Sequence, residues 1–221
     1  MLSRALRSHE IPHTHVSFPR YDRFFGKLVA QFLNGKFGRL ADVDPHFSAL
    51  LYAGDRLESK PEMEAALAAG KILLADRYIG SNLAHQGARV PAQKRPAFLH
   101  WLKQLEYDVY GLPREDLVMY LRIPVGEAHR LVGEKSARQY TKRKRDLQES
   151  NLAHLRQASA LYDQLACQPN WIRIDCVPGR ARWHRKTAAS LRTPEAIHRE
   201  VLAAIDDRMQ LGLAAGQRIK H

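Results

Sequence analysis

Three short apolar runs constrain the fold more than anything else in the chain: Lys71-Ile72-Leu73-Leu74-Ala75, Leu117-Val118-Met119-Tyr120-Leu121 and Trp171-Ile172-Arg173-Ile174. Each is compact and of strand length, as a strand buried on both faces is. A fourth segment, His13-Thr14-His15-Val16-Ser17-Phe18, reads as a shorter strand, and helical patterns lie between the four. This alternation predicts an α/β fold, a parallel sheet covered by helices on both faces, with ligands bound outside the carboxyl ends of the strands. Residues that directly follow a strand are therefore the first candidates for chemistry.

The helices have readable limits. Leu2, Ala5 and Leu6 give a first helical pattern that ends before Ile11-Pro12. Phe25, Leu28, Val29, Phe32 and Leu33 recur at helical spacing and are closed by Gly35 and Gly38. Asp44-Pro45 is a helix start, with an acceptor at the cap and a proline where no donor is needed. That helix carries Phe47, Leu50, Leu51, Tyr52 and Arg56. An Ala-rich helix stops at Gly70, another holds Trp101, Leu102 and Leu105, and the last runs from Pro194 to Met209. The stretch from Leu131 to Glu149 is highly charged with few apolar anchors and reads as a flap. Together these limits give one domain over 1–210, a lid at about 133–149, and a tail at 211–221.

Composition narrows the partners without choosing among them. A formal charge of +12, from 35 Lys plus Arg against 23 Asp plus Glu, calls for an anionic partner. Nucleic acid, a membrane surface and nucleotides all satisfy it. The sequence has no run of 18 apolar residues, and its first residues are too charged for a secretory signal, so the reading is cytoplasmic. Cys167 and Cys176 are too few for a zinc site or a disulfide framework and read as reduced, buried thiols. His13 and His15 alternate on one strand face, but without a third ligand they read as structural.

The first of the three apolar runs leads straight into Asp76-Arg77-Tyr78. A guanidinium there can grip two phosphate oxygens, and the adjacent carboxylate can hold magnesium through water. An Asp-Arg ion pair at a strand end is the simpler account of the tripeptide alone. The surrounding sequence reverses that preference. Four segments in order resemble thymidylate kinases: Phe18-Pro19-Arg20 with Gly26-Lys27-Leu28; Leu50-Leu51-Tyr52-Ala53-Gly54-Asp55-Arg56; Asp76 through Gly87; and Leu112-Pro113-Arg114-Glu115-Asp116 leading into Leu117-Val118-Met119-Tyr120-Leu121. The resemblance spans about residues 1 to 175 and implies transfer of a phosphoryl group from ATP, with Mg2+, to dTMP by a homodimer.

By that resemblance Arg20 and Arg77 hold the dTMP phosphate, with Asp76 near the magnesium and the transferred group. Tyr52 takes the place of the aromatic residue that stacks on thymine, although a core aromatic fits its helical pattern equally well. Arg56, one turn along, would bond the base, or else lie on a solvated face. Asn82 matches a base-contacting position, or else caps a helix. His85 departs from the Tyr or Phe that crowds the sugar 2′ position in relatives, which puts discrimination against ribonucleotides in question. Tyr78 and Gln86 complete the substrate set. Arg138, first in rank, and Arg143 would close over ATP from the lid, with Asp175 also on the ATP side.

The pattern Gly-x-x-x-x-Gly-Lys-Ser/Thr, whose amides and lysine cradle ATP phosphates in this class, occurs nowhere in the sequence. The resemblance therefore implies a three-layer P-loop kinase-like sheet flanked by helices, with the first, central strand and the phosphate loop absent from this chain. It also implies that Met1 is internal to a longer natural chain and that activity is impaired. Two alternatives stay open: an inactive nucleotide-binding homologue, and a basic nucleic-acid-binding protein, the less favoured of the two.

Overall fold

The computed structural model describes residues 1–134, 146–149, 151–178 and 191–213. The described chain runs α1 (Leu2–Ser8), β1 (His13–Ser17), α2 (Phe24–Leu33), α3 (Pro45–Glu58), α4 (Lys60–Ala68), β2 (Ile72–Asp76), α5 (Ile79–Gly87) and α6 (Arg95–Lys103). A π-helical turn (Gln104–Val109) follows, then β3 (Val118–Arg122), α7 (Val125–Glu134), α8 (Leu152–Leu165), β4 (Trp171–Asp175) and α9 (Pro194–Met209). All four expected strands form, and they pair in parallel.

The starts and stops have local causes. Asp44 accepts from the backbone N–H groups of His46 and Phe47, with Pro45 in the first turn of α3. Thr193 and Pro194 begin α9 in the same way. Gly26 in α2 packs so closely that a Cβ there would lie 1.8 Å from the carbonyl oxygen of Arg20. Only glycine lets α2 come this near the loop after β1, and that contact sets the loop's path.

Among the described residues the strands do not form one continuous sheet. The strands form two separate pairs, β1 with β2 and β3 with β4. His13 faces Ile72 and Ser17 faces Asp76 in the first pair; Val118 faces Trp171 and Arg122 faces Asp175 in the second. Both pairs nevertheless belong to one set of layers. Val16, Leu73, Ala75, Val118, Tyr120 and Trp171 join one core with Ile79, Leu83, Phe98, Leu102 and Leu161 from α5, α6 and α8. Ile72, Met119, Ile172 and Ile174 join another with Leu6 of α1 and Val201, Leu202 and Ile205 of α9. The two pairs thus present the same two faces to the same two helical layers. A third cluster, built on Val29, Phe32, Leu33, Val43 and Leu51, joins α2 to α3.

One smaller expectation needs adjusting. Cys176 is buried, but Cys167 is exposed on the turn after α8, because its neighbours Leu165 and Ala166 take the inward positions. His13 is structural: its ring bonds Ser3 Oγ at 2.7 Å and the Ile11 carbonyl at 2.9 Å, tying α1 to β1.

Candidate active site

Every strand ends in polar chemistry. Ser17 closes β1, Asp76 and Arg77 close β2, Arg122 ends β3 and Asp175 ends β4. Parallel pairing brings the carboxyl ends of β1 and β2 together, and likewise those of β3 and β4. Phe18 N–H bonds the Asp76 carbonyl at 3.0 Å, so the loop carrying Arg20 leaves β1 alongside the turn that carries Arg77.

Arg77 has φ of 61°, a left-handed conformation that side chains other than glycine rarely adopt. Such a residue persists only where its surroundings over-determine it, and such places cluster at binding and catalytic sites. Its guanidinium donates to His85 Nε2 at 2.9 Å and lies within electrostatic reach of Tyr162, Tyr52 and Tyr21. Asp76 is exposed, and among the described residues its carboxylate accepts one long bond, 3.5 Å, from Ser17 Oγ.

Arg20 is oriented differently. Its Nη1 meets Glu62 Oε2 at 2.5 Å and Ser59 Oγ at 3.4 Å, so α4 holds the guanidinium with a carboxylate. Its own backbone N–H donates to Asp55 at 3.0 Å. Burial pushes the Asp55 carboxyl up to about 6, against the opposing pull of that N–H and of Arg56.

The histidines form a directed chain. Arg77 can only donate, so His85 Nε2 accepts; His85 Nδ1–H then donates to His154 Nε2, 3.3 Å away. His154 Nδ1 must carry the remaining hydrogen, and it is buried without a partner among the described residues. Burial holds both rings neutral, His154 down to about 4 and His85 well below its ordinary value, where the Arg77 charge adds to the effect. His85 therefore lies between Arg77 and α8, with Tyr162 edge-on at 5.9 Å.

Arg56 is buried, 2% exposed, which sets aside a solvated helix face for it. Its Nε and Nη2 donate to Glu106 Oε2 and Oε1 at 2.5 and 2.8 Å. Asn82 is no helix cap: its Nδ2 donates to Glu106 Oε1 at 2.9 Å and to the Ala49 carbonyl at 3.1 Å. Asn82 Oδ1 is buried with no partner among the described residues. Tyr52 stands half-buried, edge-on to Phe32 at 6.4 Å. Tyr78 is a core residue whose hydroxyl donates to the Pro113 carbonyl at 3.1 Å. Gln86 Oε1 accepts from Ser48 and Arg89, both at 2.9 Å, so it braces α5 against α3. Asp175 lies 3.8 Å from Arg122 and 3.4 Å from Arg173, while Arg122 is held in a two-bond fork by Asp163. Arg138 and Arg143, and most of the expected lid, lie outside the described residues.

The sequence reading passed over Glu106. In the chain it is one carboxylate in a helical pattern ahead of Gly111-Leu112-Pro113, with nothing to separate it from a solvated helix glutamate. A signal did exist: a buried Arg56 requires a buried counter-charge.

The family model for thymidylate kinase matches residues 1–185. The chain belongs to the thymidylate kinase family. Membership makes it a phosphotransferase by descent. The thymidylate kinase of Mycobacterium tuberculosis strain H37Rv is 28% identical over 203 residues, covering 88% of this chain and 90% of that protein. The human thymidylate kinase is 34% identical over 111 residues, 50% of this chain, and the match spans 47% of the human protein's length. The solved thymidylate kinase of Candida albicans superposes with a TM-score of 0.65 over 95% of this chain and 87% of that one, at 17% identity. That likeness attests the fold: helices packed on parallel strands. No helix among the described residues is long and apolar enough to cross a membrane.

Proposed function

We propose that this chain binds dTMP at the carboxyl ends of β1 and β2 and is the acceptor-site portion of an ATP-dependent, cytoplasmic dTMP kinase. The observation that carries this reading is the unpartnered buried oxygen of Asn82, whose amide nitrogen bonds the same carboxylate as Arg56 and which lies one helical turn after the strained Arg77. Here Arg77 and Arg20 grip the monophosphate, Tyr52 stacks on the base, and Asn82 with Arg56 reads its edge. Transfer of the γ-phosphoryl of ATP to a dTMP phosphate oxygen then depends on positioning and on positive charge around the transferred group, which the lid arginines, Arg138 first, would add.

Mg2+ fits Asp76 best, whose exposed carboxylate has acceptor capacity left after its one long bond to Ser17. Magnesium there would offset the charge of the phosphate groups. The described residues offer no group of three or more His, Cys, Asp or Glu set for a metal, so such an ion would take its remaining ligands from phosphate and water. On the ATP side, Asp175 and Arg122 line the ends of β4 and β3.

A strand that these residues do not include belongs, in this reading, between β2 and β3. Its support is the split into two strand pairs that share both cores, together with the missing Gly-x-x-x-x-Gly-Lys-Ser/Thr pattern. Phosphoryl transfer by the chain as it stands is accordingly weak. A homodimer fits the exposed Phe47, Leu50 and Leu57 along one face of α3.

Calorimetry with dTMP and ATP, beside a coupled assay for ADP, tests the proposal. Saturable dTMP binding is expected. Binding of dTMP with no turnover even after a strand and glycine loop are supplied would favour an inactive nucleotide-binding homologue. Failure to bind dTMP at all would end the acceptor-site reading.

A further inference from the structure

Glu106 is a carboxylate with no exposed surface, and it sits in the π-helical turn, where Tyr110 N–H bonds the Leu105 carbonyl five residues back. Such turns are rare and recur where a functional side chain is aimed. Glu106 receives three hydrogen bonds, two from Arg56 and one from Asn82. The bond to Asn82 has the larger consequence. Both hydrogens of the Asn82 amide are taken, one by Glu106 and one by the Ala49 carbonyl. Turning the amide over would set its oxygen against a carboxylate and a carbonyl, so one orientation alone is allowed. Oδ1 is thereby fixed as an acceptor, and it is the atom left buried and unpartnered. Arg56, with Nε and one Nη2 hydrogen on Glu106, keeps both Nη1 hydrogens and the second Nη2 hydrogen as donors.

We infer that Glu106 is the positioning residue for base choice, locking Asn82 as an acceptor and holding the Arg56 donors in place so that the site takes the imide edge of a thymine or uracil and rejects cytosine. This rests on the acceptor-site reading above. An imide offers N3–H to the Asn82 oxygen and O4 to the Arg56 donor. Cytosine offers the reverse, a lone pair at N3 and an amine at C4, so both pairs oppose. A site built around fixed buried polar groups discriminates strongly, because the wrong ligand leaves those groups unpaired.

The test is calorimetric titration of the 221-residue chain with dTMP and with dCMP. The unsubstituted protein is expected to bind dTMP at least tenfold more tightly. Glu106→Gln puts an amide that must choose between donor and acceptor where a pure acceptor stood, and it frees Asn82 to turn. The dTMP to dCMP ratio should then fall below threefold through weaker dTMP binding, with dCMP unchanged or tighter. Asn82→Ala leaves the Glu106 to Arg56 pair intact and should collapse the ratio alike. Adding Glu106→Gln to Asn82→Ala should move the ratio less than Glu106→Gln does alone, the remainder being what Glu106 exerts through Arg56. If Glu106→Gln does not fold, Glu106→Asp keeps the charge opposite Arg56, shortens the reach to Asn82, and carries the same prediction. Equal weakening of both nucleotides, with the ratio kept, would show a merely structural carboxylate and overturn the inference. An unsubstituted chain that binds dTMP and dCMP equally would overturn this inference and leave the acceptor-site reading standing, whereas one that binds neither would overturn the acceptor-site reading.

Discussion

Arg77 is the residue where fold and function are in open conflict. A left-handed backbone at a residue other than glycine costs on the order of 1 kcal/mol, and here it turns the guanidinium toward His85 and the tyrosines instead of back along β2. Arg77→Gly should therefore hold or raise stability, by up to about 1 kcal/mol in urea unfolding, while dTMP affinity falls by about a hundredfold or more with the lost charged hydrogen bonds. A loss of stability instead would mean that the side chain, not the ligand, justifies the strain. Asp55 makes a second, pH-dependent case. Its folded-state value of about 6 lies above its ordinary 3.8, so between those values the native state holds the proton more tightly than the unfolded chain. Stability from this group is present at low pH and is lost as pH rises from about 4 to 6. Asp55→Asn keeps an acceptor for the Arg20 N–H without the buried charge, so its stability relative to the parent should rise over that interval by on the order of 2–3 kcal/mol. Denaturation midpoints at pH 4, 5, 6 and 7 would measure it, and parallel curves would refute it. At this scale the sequence disclosed residues tied to strand ends and to the four family segments, Arg20, Tyr52, Asp76, Arg77 and Asn82. It did not disclose what each touches: that Glu62 takes the Arg20 guanidinium, that Tyr78 is core, or that Glu106 joins Arg56 to Asn82. Those depend on contacts across many residues of separation, for which no local pattern exists.

Among the elements, the strands were legible because a strand buried on both faces is an uninterrupted apolar run, and the helices because caps such as Asp44-Pro45 are local. The π-helical turn was not, since one extra residue in a helical stretch barely changes its apolar spacing. The lie of α2 was hidden for a different reason. Gly26-Lys27 reads as part of a family segment, yet the glycine acts by bringing α2 against the backbone of Arg20. Gly26→Ala would place a methyl on that carbonyl, and neither partner is a flexible side chain that can move aside. Overpacking of this kind costs about 1–3 kcal/mol, and here the displaced backbone carries Arg20. The variant should unfold at lower urea and bind dTMP several-fold more weakly, with dTMP and dUMP affected alike because only the phosphate end has shifted. A base-dependent loss would place the fault elsewhere.

For the whole molecule, the decisive question is what separates the two strand pairs. Among the described residues β2 and β3 each pair on one edge only, although both lie within the same two helical layers. A two-stranded sheet is marginal by itself, and each buried backbone group left without a partner costs roughly 1–3 kcal/mol, a large share of a domain's roughly 5–15 kcal/mol. Supplying the strand should therefore act on the molecule as a whole. A chain extended at its N-terminus by an apolar strand and a Gly-x-x-x-x-Gly-Lys-Ser/Thr loop is expected to melt at least about 5 °C higher, since a few kcal/mol corresponds to shifts of this size at this length. The same extension should bring ATP binding and ADP production, because the loop amides and lysine are the groups that hold ATP phosphates. Affinity for dTMP should change by less than about threefold, since Arg77, Asn82 and Arg56 are already braced by α3, α5 and Glu106. A control strand carrying lysines at the inward positions separates insertion from a mere tail: it should leave the melting temperature where it was. If the apolar extension also leaves it unchanged, the two strand pairs are a finished arrangement and the slot between them does not exist.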